Sequence, residues 1–281
     1  MNNQDQFSRH TRLPYFGPEG QKKIEQARVF IVGAGGLGSP AATYLAAAGV
    51  GTLGLADNDT VEPSNLPRQI LHSPATVGEL KTESAEKRLR QLHPDLKLDI
   101  YSERLKADNI AGIIRKYDLV IDGSDNFGTK FLLNDACVMN NIPLIHAGVL
   151  RYTGQIMTII PSNPPDRRAG SQLAISNPQW ASACYRCIFP EPPPANSVPT
   201  CQEAGILNTV AGIIGLVQAT EAVKIIIGAG KPLVNKLLIF DALEMNFRTI
   251  EIQRNKNCPV CSKNAVIKKL TDCDSASLEC R

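Results

Sequence analysis

Short, unbroken apolar runs alternate with amphipathic stretches through the first half of the chain. Residues 27–33 (ARVFIVG), 52–57 (TLGLAD), 96–101, 119–122 and 143–149 read as strands. Between them, residues 37–48 are rich in Ala and Leu, and 81–93 set Ala85, Leu89 and Leu92 at helical spacing. Residues 109–116 and 126–140 are helical in pattern as well. Strands that are apolar throughout, separated by helices, predict a parallel sheet covered on both faces.

The second half differs. Residues 154–160 read as a strand, then 161–183 turn polar, with prolines before Arg167 and a lone Trp180. Pro190, Pro192, Pro193, Pro194 and Pro199 mark a second irregular segment. Mobile loops are expected at 161–183 and 188–203, because long loops in compact domains are usually functional or mobile. Residues 206–227 are apolar almost all round and predict a buried helix, stopped by Gly228 and Gly230. Residues 237–241 and 247–253 read as a closing pair of strands, and the chain after Cys261 as a polar tail. The expected organisation is one domain over 1–262 and a tail over 263–281.

Composition narrows the class. With 43% hydrophobic and 20% charged residues among 281, a disordered or collagen-like chain is excluded. A formal charge of +3 gives no reason to expect nucleic acid as a partner. The uncharged run 205–220 falls short of the roughly 20 residues of a membrane span and contains Asn208, Thr209 and Gln218. No apolar signal segment opens the chain, so a cytoplasmic protein without a membrane partner is expected. In that compartment the eight cysteines do not read as a disulfide framework.

Gly33-Ala-Gly35-Gly36-Leu-Gly38 joins the first strand to the first helix. Such a turn lets backbone approach phosphate oxygens at a helix N-terminus. Asp57 ends the second strand about 20 residues on, where a carboxylate can accept hydrogen bonds from ribose hydroxyls. The pattern predicts a nucleotide without choosing between NAD, FAD and ATP. A glycine turn used only for helix–strand packing is the alternative. The expected fold is α/β: a Rossmann-like, doubly wound, mostly parallel sheet with additional antiparallel strands and a four-Cys zinc site.

Residues 58–69 (NDTVEPSNLPRQ) are not required by a dinucleotide oxidoreductase. Asn65, Arg68 and Gln69 follow a proline-containing loop at the strand's carboxyl end, and Lys81 opens a helix behind Gly78. Arg68 and Lys81 could both reach a triphosphate, or could be solvated surface charges. Asp125, in Asp122-Gly-Ser-Asp-Asn126, is placed to hold Mg²⁺ with phosphate oxygens. Ser124, Asp125 or Asn126 could equally cap the following helix.

Cys184-Tyr-Arg-Cys187 and Cys258-Pro-Val-Cys261 are two C-x-x-C knuckles about 70 residues apart. Two such pairs suit a tetrahedral structural Zn²⁺ that clips the closing segment onto the domain; a redox dithiol is the rival. Cys201 lies between the proline-rich loop and the apolar helix, where a thiol can act as a nucleophile or be inert. Cys137 reads as core, and Cys273 and Cys280 carry no role. The four histidines, His10, His72, His93 and His146, are scattered, and none is proposed as catalytic.

Taken together, these residues resemble the ThiF/MoeB/HesA family of ubiquitin-activating-like adenylyltransferases. The resemblance runs from about Phe7 to Cys261. It rests on RHTR (9–12), GAGGLG (33–38), DND (57–59), SNLPRQ (64–69), GELK (78–81), GSDN (123–126), CYRC (184–187), TCQEAG (200–205) and CPVC (258–261). It implies ATP-dependent adenylation of the C-terminal Gly-Gly carboxylate of a small ubiquitin-like sulfur-carrier protein, with release of pyrophosphate. The acyl-adenylate then becomes a thiocarboxylate that feeds thiamine, molybdopterin or related synthesis.

The resemblance further implies residue roles. Asp57, beside Asp59, would bind the ribose. Asn65, Arg68, Gln69 and Lys81 would bind phosphates. Asp125, followed by Asn126, would hold Mg²⁺. Cys184, Cys187, Cys258 and Cys261 would hold Zn²⁺. Arg12 would reach the partner subunit's ATP in a homodimer. Cys201 matches a position where some members use a thiol for acyl or sulfur transfer. A carboxylate attacking an α-phosphate brings charge against like charge, so catalysis must come from positioning and neutralisation.

Three features depart from the family pattern. The 161–183 loop is long and polar. Pro67 stands where many members have Gln. No sulfur-transfer domain follows Cys261, so a separate sulfur-donor protein is expected. Competing readings are a tRNA-adenosine dehydratase with the same nucleotide site, an NAD- or FAD-dependent oxidoreductase, and a silent scaffold that binds a ubiquitin-like partner.

Overall fold

A computed structural model describes residues 6–161, 182–194, 197–199 and 201–272. The chain opens with α1 (Ser8–Thr11) and α2 (Gly17–Gln26), then β1 (Arg28–Val32), α3 (Gly38–Ala47) and β2 (Thr52–Ala56). After two short 3₁₀ turns come α4 (Lys81–Leu92), β3 (Lys97–Tyr101), α5 (Ile110–Ile114), β4 (Leu119–Asp122) and α6 (Phe127–Met139). β5 (Leu144–Leu150) and β6 (Thr153–Ile159) form a hairpin. Then follow α7 (Tyr185–Ile188), α8 (Cys201–Ala204), α9 (Asn208–Ile227), β7 (Lys236–Asp241) and β8 (Asn246–Glu251).

The strands make one sheet in the order β3-β2-β1-β4-β5-β6-β7-β8. Pairings from β3 to β5 are parallel, and those from β5 to β8 are antiparallel. The chain winds outward from β1 to β3, then restarts at β4 on the other side. That reversal puts a crevice above the carboxyl ends of β1 and β4, where an open α/β sheet binds its ligand.

Strand alternation divides the core. Val29, Ile31, Leu53 and Leu55 face α2, α3, α4 and α9, in a cluster with Ile24, Leu45, Leu89 and Ile214. Phe30, Val32, Val120 and Leu144 face α5, α6 and α7, with Ile114, Phe131, Tyr185 and Cys258. Both faces are covered, so these strands can be apolar at every position.

The long helix α9 ends at Gly228, whose φ of 74° is the left-handed stop the sequence predicts. At 20 residues and mean hydropathy 1.8 it is long and apolar enough to cross a membrane. Instead it is a core helix against β5, β6 and α3, with the side chains of Gln218 and Glu221 buried. Gln218 Nε2 donates to the carbonyls of Asp122 (2.8 Å) and Ile145 (3.1 Å), tying together the ends of β4 and β5.

Two elements differ from the sequence reading. α2 has no counterpart in it, because Gly17 and Pro18 look like a breaker; Pro sits in the first helical turn, where no N–H is needed. The polar segment after Cys261 stays attached as far as it is described. Leu270 packs on the second cluster, and Asp272 accepts a hydrogen bond from the Ala107 N–H (2.8 Å). Most of the 161–183 loop, Cys273 and Cys280 lie outside the described residues.

Candidate adenylation site

A cavity of about 1170 Å³ opens over the carboxyl ends of β1 and β4 and runs toward β5, β6 and β7. Its walls bring together Gly33, Gly35, Gly36, Asp57, Asp59, Arg68, Gln69, Lys81, Asp125 and Asn126.

The glycine loop has two kinds of glycine. Gly33 has φ +93°, and a Cβ there would lie 2.7 Å from the Gly123 carbonyl oxygen, where β1 and β4 end side by side. A Cβ on Gly38 would overlap the Gly33 carbonyl. Both are needed for packing, and Gly38 does not line the cavity. Gly35 meets nothing closer than Gln69 Nε2 at 3.7 Å, so only the cavity side calls for a small residue there.

Asp57 fixes this turn. Its Oδ2 accepts from the Ala34 N–H (2.8 Å) and its Oδ1 from the Asp59 N–H (2.9 Å). Burial raises its pKa, and the nearby Lys81 charge and the two N–H donors only partly offset this. The Ala34 carbonyl is also held, by Ser39 Oγ (3.1 Å) and by His72 Nε2 (3.1 Å). His72 Nδ1 in turn meets Ser84 Oγ (2.9 Å), and burial lowers this imidazole's pKa. The sequence reading missed His72; its position just after Gln69, between SNLPRQ and GELK, was the available signal.

The basic residues are tethered but exchangeable. Backbone pairing of residues 59–61 with 78–81 brings Lys81 to Asp59, and Lys81 Nζ sits 2.8 Å from Asp59 Oδ2. Arg68 Nη1 donates to the Ser64 carbonyl (2.7 Å). Gln69 is 4% exposed, and its Oε1 has no hydrogen-bond partner among the described residues. Two loosely held cations, Lys81 and Arg68, around an open glycine turn fit an anionic nucleotide.

Asn126, not Ser124 or Asp125, caps α6: its Oδ1 accepts from the Thr129 N–H (2.8 Å). Asp125 is left exposed in the cavity wall. Besides Gly38, two expected residues stand outside this cavity. Asn65 is buried, with its Oδ1 accepting from the Glu62 N–H (3.1 Å), so it shapes the loop that carries Arg68. Arg12 is exposed at the end of α1 and does not line the cavity. The Cys201 side chain lies outside the described residues, although Glu203, two positions on, lines the cavity.

The far wall was not foreseen. Asp122, fully buried at the end of β4, accepts from four groups. Its Oδ1 takes the Ser124 N–H (3.0 Å) and Oγ (2.5 Å), and its Oδ2 takes Lys130 Nζ (3.1 Å) and His146 Nδ1 (2.8 Å). Burial alone would raise the Asp122 pKa. Lys130, then the His146 hydrogen bond, outweigh it and hold the carboxylate below its usual range. Burial keeps His146 neutral by lowering its pKa against the pull of Asp122. Its Nε2 has no partner among the described residues. Asp122 ends its apolar strand as Asp57 does, which was a usable signal; Lys130 and His146 carried none.

Behind this wall, the Sγ atoms of Cys184, Cys187, Cys258 and Cys261 lie within 4.8 Å of one another, and all four are free thiols. Sulfur separations are 3.9 Å (184–187), 3.5 Å (184–258) and 3.4 Å (187–261). A tetrahedron with Zn–S bonds of about 2.3 Å has edges of about 3.8 Å, so the donors fit that ion. Hydrogen bonds from Cys184 pull the Cys187 thiol down to about 6. The same donor lowers Cys258. Hydrogen bonding among the sulfurs raises Cys184 and Cys261 in turn, so two of the four thiols take the thiolate form readily and the other two hold their protons.

The sequence profile of the ThiF family matches residues 7–260. A sulfur carrier protein adenylyltransferase of Thermus thermophilus is 42% identical over 95% of this chain and 94% of its own length. The SAMP-activating enzyme E1 of Haloferax volcanii is 41% identical over 93% of this chain and 90% of its own. The adenylyltransferase and sulfurtransferase uba4 of Emericella nidulans is 45% identical over 93% of this chain, which spans 53% of that protein. Among solved structures, E. coli MccB with ATP superposes with a TM-score of 0.75 over 92% of this chain and 75% of that one. At 23% identity that likeness concerns the fold.

Proposed function

The chain belongs to the ThiF family, and from that premise we propose that it adenylates the C-terminal Gly-Gly carboxylate of a small ubiquitin-like sulfur-carrier protein. The observation that carries this reading is the continuous cavity. One end gathers a glycine turn, a ribose-type carboxylate, Arg68 and Lys81, and the other leaves room for a second substrate.

In the reaction, a carrier carboxylate oxygen forms a bond to the α-phosphorus of ATP. The bond from that phosphorus to the bridging oxygen breaks, and pyrophosphate leaves with the electron pair. No proton need move, so a general base is unnecessary. The chain's work is to align the reactants and neutralise charge. Asp57 takes the ribose hydroxyls, whose hydrogen bonds to the carboxylate offset the burial that raises its pKa. Lys81 leaves Asp59, and Arg68 leaves the Ser64 carbonyl, to pair with phosphates. Gln69, whose Nε2 is the donor, lines the same end beside Gly35, and Asn65 holds the loop. Asp125 holds Mg²⁺, which supplies charge neutralisation on the phosphates when bound.

The four thiols hold Zn²⁺. The terminal sulfur of a persulfide on a separate donor protein then attacks the acyl carbon and AMP leaves, giving an acyl disulfide. Cys201, the thiol we assign to that stage, attacks the donor's sulfur, forming a mixed disulfide with the donor and releasing the carrier thiocarboxylate. Arg12, exposed and outside the lining of its own cavity, serves the partner's site in a homodimer. The protein acts in the cytoplasm as a single adenylation domain over residues 1–262.

Carrier-dependent ATP–pyrophosphate exchange, measured with a panel of Gly-Gly-ending carriers, tests the reading. Asp125→Ala is expected to lower exchange by about 10²–10³, as removal of one electrostatic stabiliser does. Unchanged exchange in that variant rejects the Mg²⁺ role, and no exchange by the parent with any carrier rejects the activity.

A further inference from the structure

The far wall of the cavity is made by the same segment that carries two of the four thiols. α7 is only four residues long, too short to be stable alone. It is held on one side by Cys184 and Cys187 in the thiol cluster, and on the other by α6. There the Tyr185 N–H donates to Asn134 Oδ1 (2.8 Å). Arg186 grips Asp135 in a buried fork, Nε to Oδ1 and Nη2 to Oδ2, both at 2.8 Å. The guanidinium also lies 4.7 Å over the Phe131 ring.

Tyr185 lines the cavity beside the side chain it positions, and Arg186 reaches the cavity through another residue. The Tyr185 ring packs against His146, tilted by 40° with centroids 4.2 Å apart, and both line the cavity. Asp122 commits the other side of that imidazole through Nδ1. The ring is therefore clamped between β4 and the knuckle in one orientation. Arg186 Nη1 donates to the Pro190 carbonyl (2.7 Å), which starts the turn toward the cavity-lining Pro192 and Pro193. None of these contacts touches the end formed by the glycine turn, Asp57, Arg68 and Lys81.

We infer that the Cys-Tyr-Arg-Cys knuckle is a positioning element for the carrier-tail end of the cavity: Tyr185 fixes His146, and Arg186 fixes the proline wall. The inference rests on the adenylation reading, and it gives the thiol cluster a part in recognising the second substrate as well as in stability. A purely structural knuckle would affect both substrates alike.

The test measures bound zinc, ATP affinity by calorimetry, and kcat and KM for the Gly-Gly-ending carrier that supports exchange. Tyr185→Leu is expected to keep its zinc and its ATP affinity while the carrier KM rises about tenfold and kcat changes little. Tyr185→Phe, which keeps the ring, recovers most of that loss. Arg186→Lys, which keeps the charge toward Asp135 but loses the fork, raises the carrier KM by a smaller factor; it carries the test if Tyr185→Leu does not fold. An unchanged carrier KM in zinc-loaded variants overturns the inference. So does an equal loss of ATP affinity, or a Phe variant no better than Leu. Absence of carrier-dependent exchange in the parent is seen before any variant is compared, and refutes the adenylation reading and the inference with it.

Discussion

At the β1–β2 end of the cavity, the polar residues from Gly33 to Lys81 come from one continuous stretch of chain. At the β5 end, Lys130, His146 and Tyr185, with the buried Asp122 behind them, come from four separate elements. The two ends also differ in how their charges are held. Lys81 and Arg68 rest on single, partly exposed partners that a triphosphate can replace. Asp122 has its two oxygens filled by four donors at zero exposure. The first end is built to change partners on binding, and the second is built to stay as it is. A buried, fully bonded network is rigid because each member's loss strands another in low dielectric.

The largest effect that would sharpen this contrast comes from the thiols. Cys258→Ser is expected to lose bound zinc and more than about 4 kcal/mol of stability, a size typical of losing a structural metal. Urea unfolding with a parallel metal assay checks it, and full stability without metal would break the idea that the rigid end leans on the cluster.

Next is Lys130→Met, which leaves the Asp122 carboxylate buried with a missing partner. A cost of about 3–5 kcal/mol is expected. The corresponding change at the flexible end, Lys81→Met, leaves an exposed Asp59 and should cost little stability while weakening ATP binding. Equal destabilisation by the two would erase the distinction.

Acid is expected to weaken the fold through His72 and His146, both of which burial holds neutral. An unfolded histidine titrates near about 6.5, so below that pH the unfolded chain binds protons that the folded chain does not. Stability then falls by up to about 1.4 kcal/mol per pH unit for each histidine. Asp122 acts at lower pH: its depressed folded pKa stabilises the protein above about 3.9, and that gain disappears as pH falls further. Urea midpoints at pH 7.5 and 5.5 read the histidine part; identical values would mean that neither imidazole is held neutral in the fold.

The smallest effect concerns Asn126, which lines the cavity but spends its side-chain oxygen on capping α6. Asn126→Ala should cost about 1 kcal/mol and leave nucleotide affinity nearly intact. A calorimetric loss of ATP affinity larger than the stability loss would return Asn126 to the binding site.

Much of the β1–β2 end was legible beforehand, because its residues follow each other at spacings set by one strand, one turn and one helix. The thiol knuckles were legible for the same reason, each pair being local even though the two are far apart. The expectation that Asn65 touches the ligand directly was harder to judge from spacing, since its side chain is spent on its own turn. α2 escaped notice because its first turn tolerates the proline that usually marks a break.

The sequence by itself determined the strands, the helices between them, the glycine turn and the paired cysteines, all of which are short-range patterns of apolarity, turn residues and spacing. Only the tertiary structure decided that Gly33 is small because β4 ends beside it, that Asp122 meets Lys130 and His146, and that Tyr185 closes on that imidazole. Those facts depend on which strand ends lie side by side, and strand order is set by burying both faces of the whole sheet at once, which no local pattern encodes.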